Sequence, residues 1–391
     1  MRVIARQIEP VLQEALRRFP AVVITGPRQA GKTTLLRSAA PHARYVLLED
    51  PDVQDRVRSD PRAFLESLRP PVIFDEVQHT PELLNYIRTV IDTHPRRMGQ
   101  WLFTGSQEAP LMQGITESMA GRAAVLQLLP FSSAETPRAG LLTGGFPEVV
   151  LHPRGRTLWY ASYLQTYLER DVRAIANVRD LAVFRRFLSL VASRHGQALN
   201  RVDLAAPLGI SVPTISEWLR ILEITGQIIL VPPYFENFGK RLVKSPKLYW
   251  GDAGLACHLL GIETQAELER SPFLGPIFEG FLAAEILKSQ VNRGQRKELY
   301  WFRDQQGLEV DFLVPRGQAR FWAVEAKASK TVQSSMAGPL VRLSQAAGAR
   351  AARRVVVHRT ARMQVETKAI APGVEAWTVE QFVAVINGKK T

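Results

Sequence analysis

Apolar residues recur at helical spacing over residues 8–19. The next run, Ala21-Val22-Val23-Ile24-Thr25, is short, β-branched and closed by Gly26, which predicts a helix, a buried strand and a tight turn. Further apolar runs follow at 45–48, 71–74, 101–103 and 124–128, with helix-like stretches between most of them. Strands alternating with helices imply an α/β unit with a mainly parallel sheet covered on both faces. It reaches to about Pro153.

From 158 to 190 the pattern is helical, with Tyr160, Leu164, Tyr167, Leu168, Phe184, Phe187, Leu188 and Val191 spaced for buried faces. Residues 201–208, the turn Gly209-Ile210-Ser211, residues 212–224 and a β-rich return at 226–232 predict a winged helix-turn-helix. A long helix runs from about Phe273 through Lys288, and strands are expected at 299–303, 309–314, 321–326 and 354–358. Three domains are therefore expected, at 1–153, 154–265 and 266–391, with an α/β fold at each end and a helical middle.

Composition narrows the class. With 391 residues, 46% apolar and 22% charged, the chain can build two or three cores and is not a disordered protein. One cysteine, Cys257, excludes an internal disulfide framework and a cysteine-rich zinc site. No apolar run approaches the roughly 20 residues that cross a bilayer, and residues 1–10 hold no signal-peptide centre, so a cytoplasmic protein without a membrane role is expected. Lys plus Arg exceed Asp plus Glu by 50 − 37 = 13, giving a net charge of +13. That excess fits either a polyanionic partner or a generic basic surface.

The chemistry begins at Gly26-Pro27-Arg28-Gln29-Ala30-Gly31-Lys32-Thr33, which satisfies G-x-x-x-x-G-K-[ST] between a strand and a helix opening at Thr34. Backbone N–H groups of such a loop cradle phosphates at a helix N-terminus. Lys32 would neutralise the β- and γ-phosphates of ATP, and Thr33 would ligate Mg²⁺. Val72-Ile73-Phe74-Asp75-Glu76 ends a second apolar run in two carboxylates, Asp75 suited to the metal and Glu76 to polarising the attacking water. Thr104 and Ser106, after a third strand, would either sense the γ-phosphate or satisfy turn hydrogen bonds. Arg122 and Arg170 would either stabilise transition-state charge, in their own or a neighbouring subunit of a homo-oligomer, or form structural ion pairs.

A second constellation lies near the C-terminus. Glu325 and Lys327, two apart on a strand, share a face, and Asp311 joins them if its strand is adjacent; Glu279 on the preceding helix adds a carboxylate. Such a group binds Mg²⁺ and orients a nucleophilic water, unless Glu325 and Lys327 are only an exposed pair on an edge strand. Between the two sites, Lys240, Arg241, Lys244 and Lys247 lie among aromatics and without acids over 237–251, a pattern suited to phosphate contacts and base stacking on DNA. Thr214 and Arg220, on the second helix of the helix-turn-helix, are further candidate contacts, unless that element only packs one domain on another.

In order, the loop 26–33, Phe74-Asp75-Glu76-Val77-Gln78, Phe103-Thr104-Gly105-Ser106, Gly121-Arg122, Gly144-Gly145-Phe146-Pro147, Tyr167-Leu168-Glu169-Arg170-Asp171, Lys244-Ser245-Pro246-Lys247-Leu248-Tyr249 and Gly251-Asp252-Ala253-Gly254-Leu255 span nearly the whole chain. The set resembles a prokaryotic family of AAA-type P-loop ATPases with a C-terminal restriction-endonuclease-like domain. The resemblance implies that Glu279, Asp311, Glu325 and Lys327 are the signature of a PD-(D/E)XK nuclease fold, with Val310 in place of the signature proline. A Mg²⁺-dependent ATPase that remodels or processes DNA is expected. The alternative is an ATP-gated switch whose winged-helix and nuclease-like domains bind protein and do not cleave.

Overall fold

The computed structural model describes residues 4–105, 118–168, 180–234, 245–317, 319–359 and 368–388. The chain divides into two compact units. One holds Met1–Phe131, Ile224–Gly226 and Val291–Arg296; the other holds Ser132–Glu223, Gln227–Gln290 and Lys297–Thr391. Most of the segments 154–265 and 266–391 falls in the second unit, with 224–226 and 291–296 in the first.

The first unit is built on a parallel sheet of five strands: β1 (Ala21–Thr25), β2 (Arg44–Leu47), β3 (Val72–Asp75), β4 (Trp101–Thr104) and β5 (Ala123–Gln127). Their order is β2-β3-β4-β1-β5. Alternation along the strands sorts the side chains between two cores. Val22, Ile24, Ile73 and Leu102 pack with Leu12 of the helix Glu9–Arg18 and with Leu35 and Leu36 of the helix Lys32–Ala39. Val23, Phe74, Trp101 and Phe103 face the other way, onto Val53, Phe64, Leu84 and Ile87. Both faces are covered, which is why β1, β3 and β4 are apolar at nearly every position rather than alternating. Two helices on the second face open with Asp-Pro, Asp50 and Asp60 accepting from backbone N–H groups and Pro51 and Pro61 following at the first helical position.

In the second unit, helices Arg156–Tyr163, Leu181–Ser193, Arg201–Ala205 and Val212–Ile224 close around Phe184, Phe187 and Trp218, the Trp218 ring meeting both phenylalanines edge to face. Gly209, at φ +65, makes the turn into the last of these helices. A three-stranded antiparallel sheet follows, of β6 (Gln197–Ala198), β7 (Ile228–Val231) and β8 (Lys247–Trp250), with β8 central and wholly buried.

The rest of this unit is a mixed sheet of β9 (Tyr300–Arg303), β10 (Glu309–Pro315), β11 (Phe321–Lys327), β12 (Ala351–His358), β13 (Lys368–Ala371) and β14 (Val374–Thr378). Its order is β13-β14-β12-β11-β10-β9, with β11, β12 and β14 parallel and the other pairings antiparallel. The helix Leu274–Val291 contributes Ile277, Phe278 and Leu282 to the core under Phe312, Val324 and Val355. Leu340 and Leu343 of the helix Gly338–Ala347 pack with Leu313, Ala323 and Val356.

Candidate functional site

The phosphate loop leaves β1 through Gly26, at φ +138. A side chain there would strike the Leu128 carbonyl, since a Cβ would lie 2.1 Å from its oxygen. The loop closes through Gly31, at φ 94, into the helix Lys32–Ala39, whose N-terminus no side chain caps. Lys32 is buried, and its ammonium donates to the carbonyls of Gly26 and Pro27, each at 3.1 Å. Behind the loop, Arg6 donates to the carbonyls of Ala30 at 3.0 Å and Leu129 at 2.5 Å and lies over the Phe131 ring. A guanidinium therefore ties the loop to the segment that follows β5.

Asp75, at the end of β3, collects three hydroxyls. Thr33 donates to its two oxygens at 2.8 and 3.1 Å, Tyr45 of β2 donates at 2.7 Å, and Thr104 of β4 donates as well. β4 lies between β3 and β1, so Thr104 stands between the acidic strand and the phosphate loop. Its hydroxyl also accepts the Glu76 N–H at 3.1 Å. Burial and the Asp75 carboxylate both push the Tyr45 phenol well above its ordinary range, so it stays a donor. Glu76 has left-handed backbone angles (φ 58, ψ 52), and Gln78 donates to its carboxylate. An oxygen pair made of a threonine hydroxyl and an aspartate 2.8 Å apart suits a small hard cation. Thr33 and Asp75 therefore fit Mg²⁺, which when bound supplies charge neutralisation at the phosphates.

The other nucleotide candidates separate. Arg122 precedes β5, and Thr25, after which the loop begins, pairs with Gln127 at the far end of that strand. Arg122 is thus about 15 Å of strand from the loop of its own chain. Its guanidinium is held by Asp92 at 2.6 and 3.0 Å and by the Ala120 carbonyl. Ser106 and Arg170 lie outside the described residues, as do Lys240, Arg241 and Lys244.

In the second unit Glu279, Asp311, Glu325 and Lys327 come together. Asp311 accepts the Ala326 N–H at 2.9 Å, and Lys327 donates to Glu325 at 2.7 Å, so Glu325 and Lys327 do share a face of β11. Lys247, expected at a DNA surface, is instead buried among these carboxylates with its side chain 4% exposed. Its ammonium is 2.7 Å from Glu309, 2.9 Å from Glu279 and 3.4 Å from Asp311. Tyr249, next on the same face of β8, donates to Glu279. The cause is charge compensation: burial works against the Lys247 ammonium, but three carboxylates outweigh it and raise its pKa. Burial, with Asp311 beside them, pushes Glu279 up to about 7 and Glu325 up to about 8. Among the described residues, no three His, Cys, Asp or Glu side chains are arranged to hold a metal ion. The Lys247 ammonium already neutralises Glu279, Glu309 and Asp311, so these residues as arranged do not fit Mg²⁺.

On the helix Val212–Ile224, the Thr214 hydroxyl lies 2.8 Å from that of Ser211, which accepts the Thr214 N–H at 3.2 Å. Arg220 stays exposed.

Two mycobacterial proteins align with this chain, Uncharacterized protein Mb2031c of Mycobacterium bovis and Uncharacterized protein Rv2008c of Mycobacterium tuberculosis. Each is 32% identical over 343 residues, covering 86% of this chain and 77% of the relative. The chain belongs to their family. Within it, residues 18–136 match the AAA domain, 135–266 a Domain of unknown function (DUF8612) and 274–381 a Domain of unknown function (DUF4143). The first unit is accordingly an AAA-type P-loop ATPase domain, and the last segment a mixed sheet. Among solved structures, the Walker-type ATPase paby2304 of Pyrococcus abyssi aligns at 18% identity and a TM-score of 0.45, over 66% of this chain and 96% of that one. Among the described residues no helix is long and apolar enough to cross a membrane.

Sequence reasoning missed Arg6, Tyr45, Glu309 and Tyr249 as site residues. Tyr45 carried little signal, because it stands opposite Ile73 and only its long side chain carries the hydroxyl along to Asp75, whose own strand partner is Leu47. Arg6 carried none, since its partners lie 24 and 123 residues away.

Proposed function

We propose that this chain is a Mg²⁺-dependent ATPase that engages DNA through its middle and C-terminal segments and couples ATP hydrolysis to remodelling of that DNA. The observation that carries the catalytic part is the 2.8 Å contact between Thr33 and Asp75 beside the Lys32 loop. In this reading Lys32 turns from the loop carbonyls to the β- and γ-phosphates, and Thr33 and Asp75 hold the metal. Glu76, steadied by Gln78 and by its own N–H on Thr104, accepts a proton from the attacking water. Thr104 orients Asp75 and Glu76 rather than touching phosphate. A homo-oligomer in which Arg122 or Arg170 reaches a neighbour's site belongs to the same proposal. The net charge of +13 and the exposed Arg220 support the DNA part.

A second reading is favoured by Lys247. With that ammonium spent on carboxylates, and the Thr214 and Ser211 hydroxyls spent on each other, the winged-helix and nuclease-like segments serve as a non-cleaving, ATP-gated switch that binds protein. One experiment separates the readings: ATPase rates without DNA and with linear, branched and single-stranded DNA, cleavage being followed in the same tubes. Stimulation that falls steeply with salt supports DNA coupling; identical rates in all tubes would overturn it. Lys32→Ala should abolish nucleotide binding, while Glu76→Gln should bind ATP and lose about 10²–10⁴ in turnover. A fully active Glu76→Gln protein would sink the general-base assignment.

A further inference from the structure

We infer that Lys247 is a built-in cation, and that the cluster of Glu279, Glu309 and Asp311, with Glu325 beside Asp311, is a latent divalent-cation site which this ammonium keeps closed. The inference deepens the non-cleaving reading of the C-terminal segment, and none of its residues belongs to the phosphate loop.

Three observations converge. The Lys247 ammonium sits 2.7–3.4 Å from three carboxylates contributed by the helix Leu274–Val291 and by β10, a set of oxygens around one point. Its backbone is fixed: β8 pairs with both β6 and β7, Lys247 lying opposite Ala198 and Val231, and its ammonium lies 5.2 Å from the centre of the Trp301 ring. Glu325, with a side chain only 3% exposed, spends one oxygen on Lys327 and leaves Oε1 buried without a hydrogen-bond partner. A buried carboxylate oxygen without a partner is costly, so Oε1 is available as a further oxygen ligand beside Asp311.

Hard divalent cations take carboxylate oxygens at about 2.0–2.6 Å, closer than an ammonium approaches them, so the cluster would tighten around an ion only after the ammonium leaves. An ammonium on a strand cannot dissociate as an ion does. It therefore competes with metal at a fixed, high local concentration, and an ion binds only by displacing the side chain from all three carboxylates. Lys247 is a positioning residue in this scheme, acting through the carboxylates.

The test uses the full-length chain without nucleotide, with Mn²⁺ as the probe and bound ion counted by electron paramagnetic resonance. Wild type and Asp311→Asn should bind Mn²⁺ identically, because the cluster is closed in both. A wild-type site that Asp311→Asn removes would overturn the inference, whatever becomes of the other variants. Lys247→Met should gain one Mn²⁺ per chain, at least tenfold tighter than any binding by wild type. The gain should disappear in Lys247→Met/Asp311→Asn and be absent in Lys247→Arg. Equal binding by wild type and a folded Lys247→Met would also overturn it. DNA cleavage is assayed separately. Cleavage by wild type would refute the non-cleaving reading, whereas the Mn²⁺ counts alone decide whether the ammonium excludes metal.

Discussion

Replacing Gly26 by alanine tests whether the phosphate loop is shaped by the backbone it leaves. In the native geometry the new Cβ lies 2.1 Å from the Leu128 oxygen and 3.1 Å from its carbonyl carbon, with φ at +138. An ordinary contact at a Cβ starts at 3.4 Å, so the two backbones must separate by at least about 1 Å. The neighbouring bond from the Leu128 N–H to the Thr25 carbonyl, at 2.8 Å, lies in the path of that movement. Losing a buried backbone hydrogen bond costs about 1–3 kcal/mol, and an alanine held at such a φ adds about 1–3 kcal/mol. The sum, about 2–6 kcal/mol, lowers the melting temperature of a unit of this size by about 8–24 °C. Reactive geometry is more sensitive still: a 1 Å displacement of the cradle should weaken catalysis by about 10²-fold. Calorimetry, fluorescent-nucleotide binding and ATPase rates measure these effects. Gly121→Ala, where nothing lies within 4 Å of the added carbon, serves as the control. If Gly26→Ala melts and hydrolyses ATP like Gly121→Ala, the contact with Leu128 does not shape the loop.

Two further outcomes are expected. His195 is fully buried, accepts the Trp250 N–H on Nδ1 at 3.0 Å, and is pushed down to about 4 by that burial. Its folded pKa lies below its unfolded one, near 6.5. The unfolded chain therefore binds the extra proton, and stability is lost as pH falls from about 6.5 through 4, by about 3 kcal/mol in all. His195→Asn keeps an acceptor without a titration, so its melting temperature should fall less over that window; an identical slope by calorimetry would refute the assignment. Asp252 accepts from Gly145 N–H at 2.6 Å, Tyr160 hydroxyl at 2.7 Å and Leu255 N–H at 2.9 Å. Asp252→Ala strands the two N–H donors, while the Tyr160 hydroxyl keeps the Thr143 carbonyl at 3.0 Å, and should cost about 3 kcal/mol, with Asn milder; a fall in melting temperature under about 3 °C for Ala would refute the network's weight.

The phosphate loop, Asp75 and Glu76 were legible because their context is local: an apolar strand, a turn and a helix within 20 residues. Asp311 and Glu325 were legible for a related reason, being charges that interrupt buried strands. Lys247 misled because Lys240, Arg241 and Lys244 precede it and aromatics surround it, a pattern that reads as surface. Around it are carboxylates 32, 62 and 64 positions along the chain, brought near by tertiary packing that no local window contains, since β8 and β10 belong to different sheets and Glu279 to a helix. The hairpin β13–β14 also escaped notice. Its strands are short, and only the turn at Pro372-Gly373, with Gly373 at φ +67, signals it.

β8 divides its two faces between different neighbourhoods. Leu248 and Trp250 belong to the helical core, while Lys247 and Tyr249 reach the carboxylates. Consequently the borders between the family's matched segments are not borders of inheritance. A crossover between two relatives anywhere in 251–273 would take the ammonium from one parent and Glu279, Glu309 and Asp311 from the other. Viable chimeras should therefore be those whose parents agree at position 247, or whose junction lies upstream of β8, so that lysine and carboxylates descend together.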